Sequence, residues 1–230
     1  ITSRAVPAIM GYVFCPGVHG CNLGGAIVLL DLPRDRYLCL ENGTRGVCLH
    51  LVEGAPCLPD DADVFSELIG AGLLFELDGD AKPSLCDDIP CSGSVPTDRR
   101  LGPIASIRVI AALARIFSAT IELRLRSLDA VLAGLAEAKK KRSPRRPSKA
   151  DLATIATSFA KADRLKTALD LCLPRSIAIA RTLVAYGFTP TLVLAVKLRP
   201  FEAHCWVQSG DVLVGDDVGT IAPFTPIFIL

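Results

Sequence analysis

Four absences narrow the field before any motif is read. No apolar run in the 230 residues reaches the roughly 20 that a membrane-spanning helix needs, although mean hydropathy is +0.42. Charge of one sign is missing too. With 25 Lys+Arg against 24 Asp+Glu, the net of +1 gives no global bias toward nucleic acid. Glycine (18) and proline (16) are at ordinary levels, which excludes collagen-like and low-complexity repeats. No basic-then-apolar leader with a small-residue cleavage site opens the sequence, so a cytoplasmic protein is expected.

What is present points to a folded protein of two domains. Half of the residues are apolar and 21% are charged, enough for a sizeable core and too apolar for wholesale disorder. The balanced total hides a split. Residues 1–98 carry 14 acidic and 5 basic side chains, a net of −9, and residues 99–230 carry 10 acidic and 20 basic, a net of +10. An acidic half joined to a basic half gives the two an electrostatic reason to dock. The expected division is a domain over 1–80, a linker over 81–100 and a second domain over 101–230.

Nine cysteines are spread along the chain, several inside apolar runs such as Cys39 and Cys48. That suits reduced, buried thiols. Cys15-Pro-Gly-Val-His19-Gly-Cys21 has metal-ligating residue types, but a zinc site needs four such ligands and no second paired knuckle follows. It is read as a glycine-rich turn between strands, and no metal is expected.

Residues 12–14, 26–31 and 36–40 read as strands, the last two joined at Pro33-Arg34-Asp35. Helices are expected over 42–53 and 62–74, with a further strand at 75–77. That order suits a small winged-helix-like module. Asp, Gly and Pro then dominate 78–100 as a linker. From about 103 to 138 the pattern predicts one long helix, with Ile107, Ile110, Leu113, Phe117, Ile121, Leu125, Leu128, Leu132 and Leu135 recurring at three- and four-residue steps. The stretch KKKRSPRRPSK at 139–149 reads as an exposed connector. It lacks an aromatic residue for base stacking, so no nucleic-acid partner is expected. A helix over 150–169 comes next, then one whose first turn is marked by Pro174 and which runs to about 186. Strands at 189–198, 203–208 and 212–215 complete an α+β order, helices followed by an antiparallel sheet.

Chemistry concentrates in this last part. Cys172 lies where a helix starts, and the positive end of the helix dipole favours its thiolate. A thiol nucleophile needs a base, and the chain has only three histidines, His19, His50 and His204. His204 alone falls in the same half, on a strand. A third group must orient the imidazole, and Asp216 and Asp217 both stand one hairpin later. Cysteine at a helix start, histidine on the next strands and aspartate after them is the order of papain-like and transglutaminase-like thiol enzymes.

The stretches LCLPRSIAIARTL, LVLAVKLRPFEAHCWVQ and VLVGDDV resemble the protease segment of lasso peptide biosynthesis B proteins. These are transglutaminase-like cysteine proteases that remove the leader from a ribosomal precursor peptide. Cysteine and histidine are 32 residues apart here, and histidine and aspartate 12, in keeping with that family. The resemblance puts the catalytic set on Cys172, His204 and Asp216. The N-terminal stretch GGAIVLLDLPRDRYLCL is similar to the family's PqqD-like winged-helix module, the leader-recognition element. Together the two would make an undivided B protein.

This resemblance implies a leader peptidase. The leader would add a strand to the N-terminal module, in a groove between strand 36–40 and helix 62–74, with Tyr37, Leu38, Phe65 and Ile69 as contacts. Tethering would raise the local concentration of the scissile bond near Cys172. Thiolate attack, proton transfer through His204 and orientation by Asp216 would follow, with the Cys172 N–H as oxyanion donor. Cys205 should point to the opposite sheet face from His204 and be structural. The family implies an asparagine-synthetase-like cyclase as partner. It also implies a dependence on ATP, for which no phosphate loop is visible. No cofactor is expected in the protease site, and no membrane partner. Two other readings use the same residues differently: a transglutaminase-type acyltransferase with an amine acceptor, and a non-catalytic peptide-binding scaffold.

Overall fold

The computed structural model describes residues 10–24, 26–40, 52, 62–79, 81–97, 107–164 and 172–230. The chain divides into two compact units, Ile1–Cys86 and Asp87–Leu230.

The first unit holds two small sheets and a helix. β1 (Met10–Phe14) pairs antiparallel with the later β5 (Leu74–Asp78), while β2 (Val18–Leu23), β3 (Ala26–Asp31) and β4 (Arg36–Leu40) form an antiparallel meander. The 15–21 segment is thus not all turn. The turn is confined to Cys15–Gly17, and His19 and Cys21 lie on β2, His19 half-buried and Cys21 fully buried. The β3–β4 connection is a short 3-10 turn over Leu32–Arg34, closed by Asp35 in the left-handed region at φ 48°. Asp31 holds this turn together. Its buried carboxylate accepts from Arg34 Nη1 at 3.1 Å and Arg36 Nε at 3.0 Å. Burial raises the Asp31 carboxyl, and the two arginines more than offset that, so it lies below the usual carboxylate range.

α1 (Ala62–Gly70) drops Phe65 and Leu68 onto Ile27, Leu29 and Leu40. It stops four residues short of the expected 74. Gly72, at φ 69°, donates to Ile69 O, and Leu73 donates to Leu68 O. This reversal needs a left-handed residue at its corner, and glycine supplies it without steric cost. The expected helix over 42–53 lies outside the described residues, apart from position 52.

The second unit is a five-stranded sheet with helices. β6 (Gly93–Ser94), β7 (Thr191–Lys197), β8 (Glu202–Ser209), β9 (Val212–Leu213) and β10 (Thr225–Ile229) lie in the order β10-β7-β8-β9-β6. All neighbours are antiparallel except β6 and β9, which run parallel. The segment expected as linker therefore supplies a strand of this sheet. β10 and the one-turn helix α6 (Val218–Ile221), absent from the sequence reading, complete it.

Four longer helices lie between β6 and β7 in the chain: α2 (Ile107–Leu125), α3 (Leu128–Lys140), α4 (Lys149–Asp163) and α5 (Cys172–Ala185). The single helix expected over 103–138 is broken at Ser127, whose side chain caps α3 by accepting from Ala130 N. The buried face of α2 is not the one marked by its large recurring apolar residues. Val109, Ala112, Ile116 and Ala119 are buried, whereas Ile110, Phe117, Ile121 and Leu125 are exposed. Ser148 and Asp151 form a reciprocal capping box that starts α4, and most of the basic connector before it is exposed. The expected end of that helix, 165–169, lies outside the described residues.

α5 is the most buried helix, with nine buried residues between Pro174 and Val184. Ser176 Oγ donates to Cys205 O at 2.7 Å and fixes α5 against β8. Pro174 is tolerated in its first turn because the missing N–H would have had no intrahelical partner. Among the described residues no helix is long and apolar enough to cross a membrane.

Candidate active site

Cys172 is the first residue of α5, half-buried. Its backbone N–H is among the four at the helix start without an intrahelical acceptor, and the dipole of α5 is positive there. A charge developing at this point is therefore negative by preference.

His204 arrives from β8, opposite Ala195 of β7 in the strand register. Its ring lies 5.2 Å from the Phe224 ring and 6.2 Å from that of Trp206, measured between centroids. Trp206 is locked in turn by its Nε1–H donating to Gln208 Oε1 at 3.2 Å, while Gln208 Nε2 donates to Pro90 O at 2.8 Å. The imidazole thus sits on a fixed aromatic bed at the end of the sheet.

The third group comes from the loop after β9. Val214 N still donates to Val207 O, so pairing with β8 runs up to that point. Gly215 then takes φ 86° and turns the chain. This brings Asp216 Oδ2 to 3.0 Å from His204 Nε2, with both side chains over four-fifths buried. Asp217 is spent elsewhere: its Oδ1 accepts from Gly219 N at 2.8 Å as the N-cap of α6. The two adjacent aspartates, equivalent by spacing, have separate jobs.

The electrostatics follow from this geometry. The hydrogen bond to Asp216 and then that to Cys172 raise His204 to about 9, against the opposing effect of burial. Nε2 is taken by Asp216, which leaves Nδ1 for the thiol. Imidazole, thiol and carboxylate form one chain of hydrogen bonds.

Cys205, the next residue on β8, is different. It is 2% exposed, and burial pushes its thiol well above the ordinary range, so it stays protonated and inert. Cys21, in the first unit, is likewise pushed up to about 12 by burial and then by the neighbouring Cys86. Among the described residues no group of three or more His, Cys, Asp or Glu is placed to hold a metal ion.

A family description, transglutaminase-like superfamily, matches residues 116–229, which contain Cys172, His204 and Asp216. Residues 116–229 are a transglutaminase-like domain. No curated protein and no solved structure is significantly similar to the chain. Within these residues Cys172 lies on α5, His204 on β8 and Asp216 after β9.

The four residues expected to meet a leader peptide lie in the first unit and fare unequally. Tyr37 and Leu38 are half-buried on β4, an edge strand of its sheet among the described residues. Ile69, half-buried on α1, packs against the same core cluster as Leu38. Phe65 is a correction. At 4% exposure it belongs to the core, stacked on Tyr12 with ring centroids 4.5 Å apart, and no surface remains for a ligand.

Two residues that the sequence reading missed bear on the site. Arg175, one turn after Cys172, donates from Nη2 to Gly215 O at 2.6 Å and from Nε to Asp163 Oδ2 at 2.7 Å. Gly215 is the second. A Cβ there would lie 3.0 Å from Ile179 Cδ1 and 3.1 Å from Arg175 Nη2, in a backbone region that side chains rarely adopt. Gly215→Ala is therefore expected to cost about 1–3 kcal/mol and to lower turnover. Equilibrium urea unfolding followed by circular dichroism checks the first effect.

Proposed function

We propose that the chain is a leader peptidase of lasso peptide biosynthesis: it binds the leader of a ribosomal precursor through its first unit and cleaves the leader from the core peptide at Cys172. The observation that carries the catalytic half is His204 held at 3.0 Å by Asp216 and hydrogen-bonded to a cysteine at the start of α5. The order and spacing of the three residues, and the resemblance of the flanking stretches to lasso peptide B proteins, support the peptidase reading.

The reaction runs in two steps. The Cys172 sulfur attacks the scissile carbonyl, the Cys172 N–H donates to the developing oxyanion, and the tetrahedral centre collapses with the C–N bond breaking. The imidazolium of His204 gives its proton to the departing amine of the core peptide. Water then attacks the thioester. His204, now neutral, takes one proton from it and returns it to the sulfur as the leader leaves as a carboxylic acid. One water is consumed and no other reactant is needed. Asp216 holds the ring throughout and stabilises its cationic form.

Recognition is assigned to β4, to which the leader would add as a strand, with Tyr37, Leu38 and Ile69 reading its side chains. The freed amine of the core is what a ring-closing, asparagine-synthetase-like cyclase would consume, so that enzyme is the proposed partner. ATP dependence, implied by the same resemblance, would then belong to the complex.

The test is the mass of the products. The full chain is incubated with short precursor peptides sought among the open reading frames beside its gene, and the mixture is read by mass spectrometry. Two fragments whose masses sum to the precursor plus one water are expected. A leader joined to an added amine would replace hydrolysis by acyl transfer, and an unchanged precursor, with or without the cyclase and ATP, would sink both.

A further inference from the structure

We propose that Arg175 is a positioning residue for the reacting set: one guanidinium ties the helix that carries Cys172 to the loop that carries Asp216, and so keeps the carboxylate on His204. The inference rests on the reading of Cys172, His204 and Asp216 as the reacting groups.

The geometry is specific. Arg175 follows Cys172 by one helical turn on α5, so its backbone moves with the thiol. Nη2 grips the carbonyl of Gly215, the residue directly before Asp216, at 2.6 Å. Nε grips Asp163, the last residue of α4, at 2.7 Å. The Arg175 side chain is only 16% exposed, and the Asp163 carboxylate supplies the charge that a cation in such a place requires.

Two acceptors in different directions need a planar fork, and lysine, with a single nitrogen, cannot hold both. Gly215 is left-handed at φ 86°, and a Cβ there would crowd the same Nη2. Three segments, α4, α5 and the loop after β9, therefore meet at one side chain.

The clamp has something to restrain. Asp216 and Arg175 both border a cavity of about 680 Å³ whose wall includes Ser94, Thr97, Arg164 and Thr220. A loop released from Arg175 has room to move into that space, and water can reach the carboxylate. A hydrated, mobile Asp216 accepts a weaker hydrogen bond from His204, and the imidazole then holds its proton less firmly.

The other groups around the ring do not substitute. Asp216 and Cys172 are the groups hydrogen-bonded to His204, and Cys205 on its own strand stays protonated. Lys197 lies over the far-side aromatic neighbour Phe224 at 5.1 Å and is paired with Glu202. Asp217 is committed to capping α6.

With three histidines in the chain, the imidazole Hε1 protons of the intact protein can be followed individually by NMR, and His204→Gln assigns the relevant one. Wild-type protein is expected to titrate at His204 near about 9. In Arg175→Met the midpoint should fall by at least about one pH unit, a tenfold change in proton affinity, and kcat on the precursor should fall about as much with KM unchanged. A folded Arg175→Met with the wild-type midpoint overturns the inference.

Should that variant fail to fold, Arg175→Lys and Asp163→Asn decide. The lysine variant can keep only one of the two contacts, and the asparagine variant keeps Gly215 held. A downward shift in the first that exceeds the shift in the second supports the clamp, and no shift in either overturns it. The titration is independent of any substrate. A moved midpoint in a protein that hydrolyses no precursor refutes the proposed function alone, and active hydrolysis with an unmoved midpoint refutes the clamp alone.

Discussion

Cys172→Ala is expected to lower leader removal by about 10⁴-fold or more, with the melting temperature close to that of the wild type. The activity loss follows from the chemistry: in the proposed mechanism Cys172 supplies the sulfur of the thioester. Cys205, adjacent in sequence to His204, cannot stand in, because it is buried and burial holds it protonated. The small stability change follows from position. Cys172 is half-buried at the first residue of α5, so alanine leaves no large cavity and breaks no helical hydrogen bond. Single-turnover incubation with the precursor, read by mass spectrometry, gives the rate. Wild-type cleavage by the alanine variant would remove Cys172 from the mechanism and leave the acidic first unit and basic second unit as a binding scaffold.

Asp216→Asn should produce the second-largest effect, and one with a distinct pH signature. The hydrogen bond to Asp216 is the main reason that His204 is raised to about 9. An amide carries no charge to favour imidazolium, so His204 should fall toward its ordinary value of about 6.5. At pH 8 the ring would then be mostly neutral, and the thiol would lose its cationic partner. The expected fall in kcat is about 10³- to 10⁴-fold. In the wild type the alkaline limb of kcat/KM should fall through about 9, whereas in the variant the residual activity should decline from near neutrality.

Stability should follow the same linkage. A group raised on folding stabilises the native state fully below its unfolded value, about 6.5, and that contribution fades as pH rises through the folded value. Melting temperatures of the wild type should therefore decline between pH 6.5 and about 9 more steeply than those of Asp216→Asn. Equal slopes would show that Asp216 does not hold the imidazole in solution.

Local patterns were readable where local physics controls the outcome. β3 and β4 have the boundaries expected from their apolar runs, because the Pro33-Arg34-Asp35 turn between them is short and chemically explicit. The start of α5 was readable from Pro174. The break between α2 and α3 was not, since the apolar period continues across Ser127 and the cap depends on one hydroxyl accepting from Ala130 N. The inward face of α2 was not readable for a related reason. Periodicity favours the large residues Ile110 and Phe117, but the packed face uses Ala112 and Ala119, small enough for α2 to lie close to its neighbours. Phe65 looked like a ligand contact because helical spacing cannot tell a groove wall from a core wall. β6 was unreadable in principle: two residues, Gly93 and Ser94, become a strand only because β9 offers them an edge.

By itself the sequence determined the candidate chemistry. A chain with three histidines leaves one, His204, beside a helix-starting cysteine in the same half, and the order Cys172, His204, Asp216 restricts the class of reaction. It could not choose between Asp216 and Asp217, which are neighbours of equal type. The tertiary structure separated them through the left-handed turn at Gly215, which aims one carboxylate at the imidazole and leaves the other to cap α6. Arg175 was likewise beyond sequence, because its partners lie 12 and 40 residues away and a guanidinium has no preferred spacing. Composition and order select which groups can react. The proton on His204, and the hold on Asp216, depend on distances of about 3 Å between segments that only folding brings together.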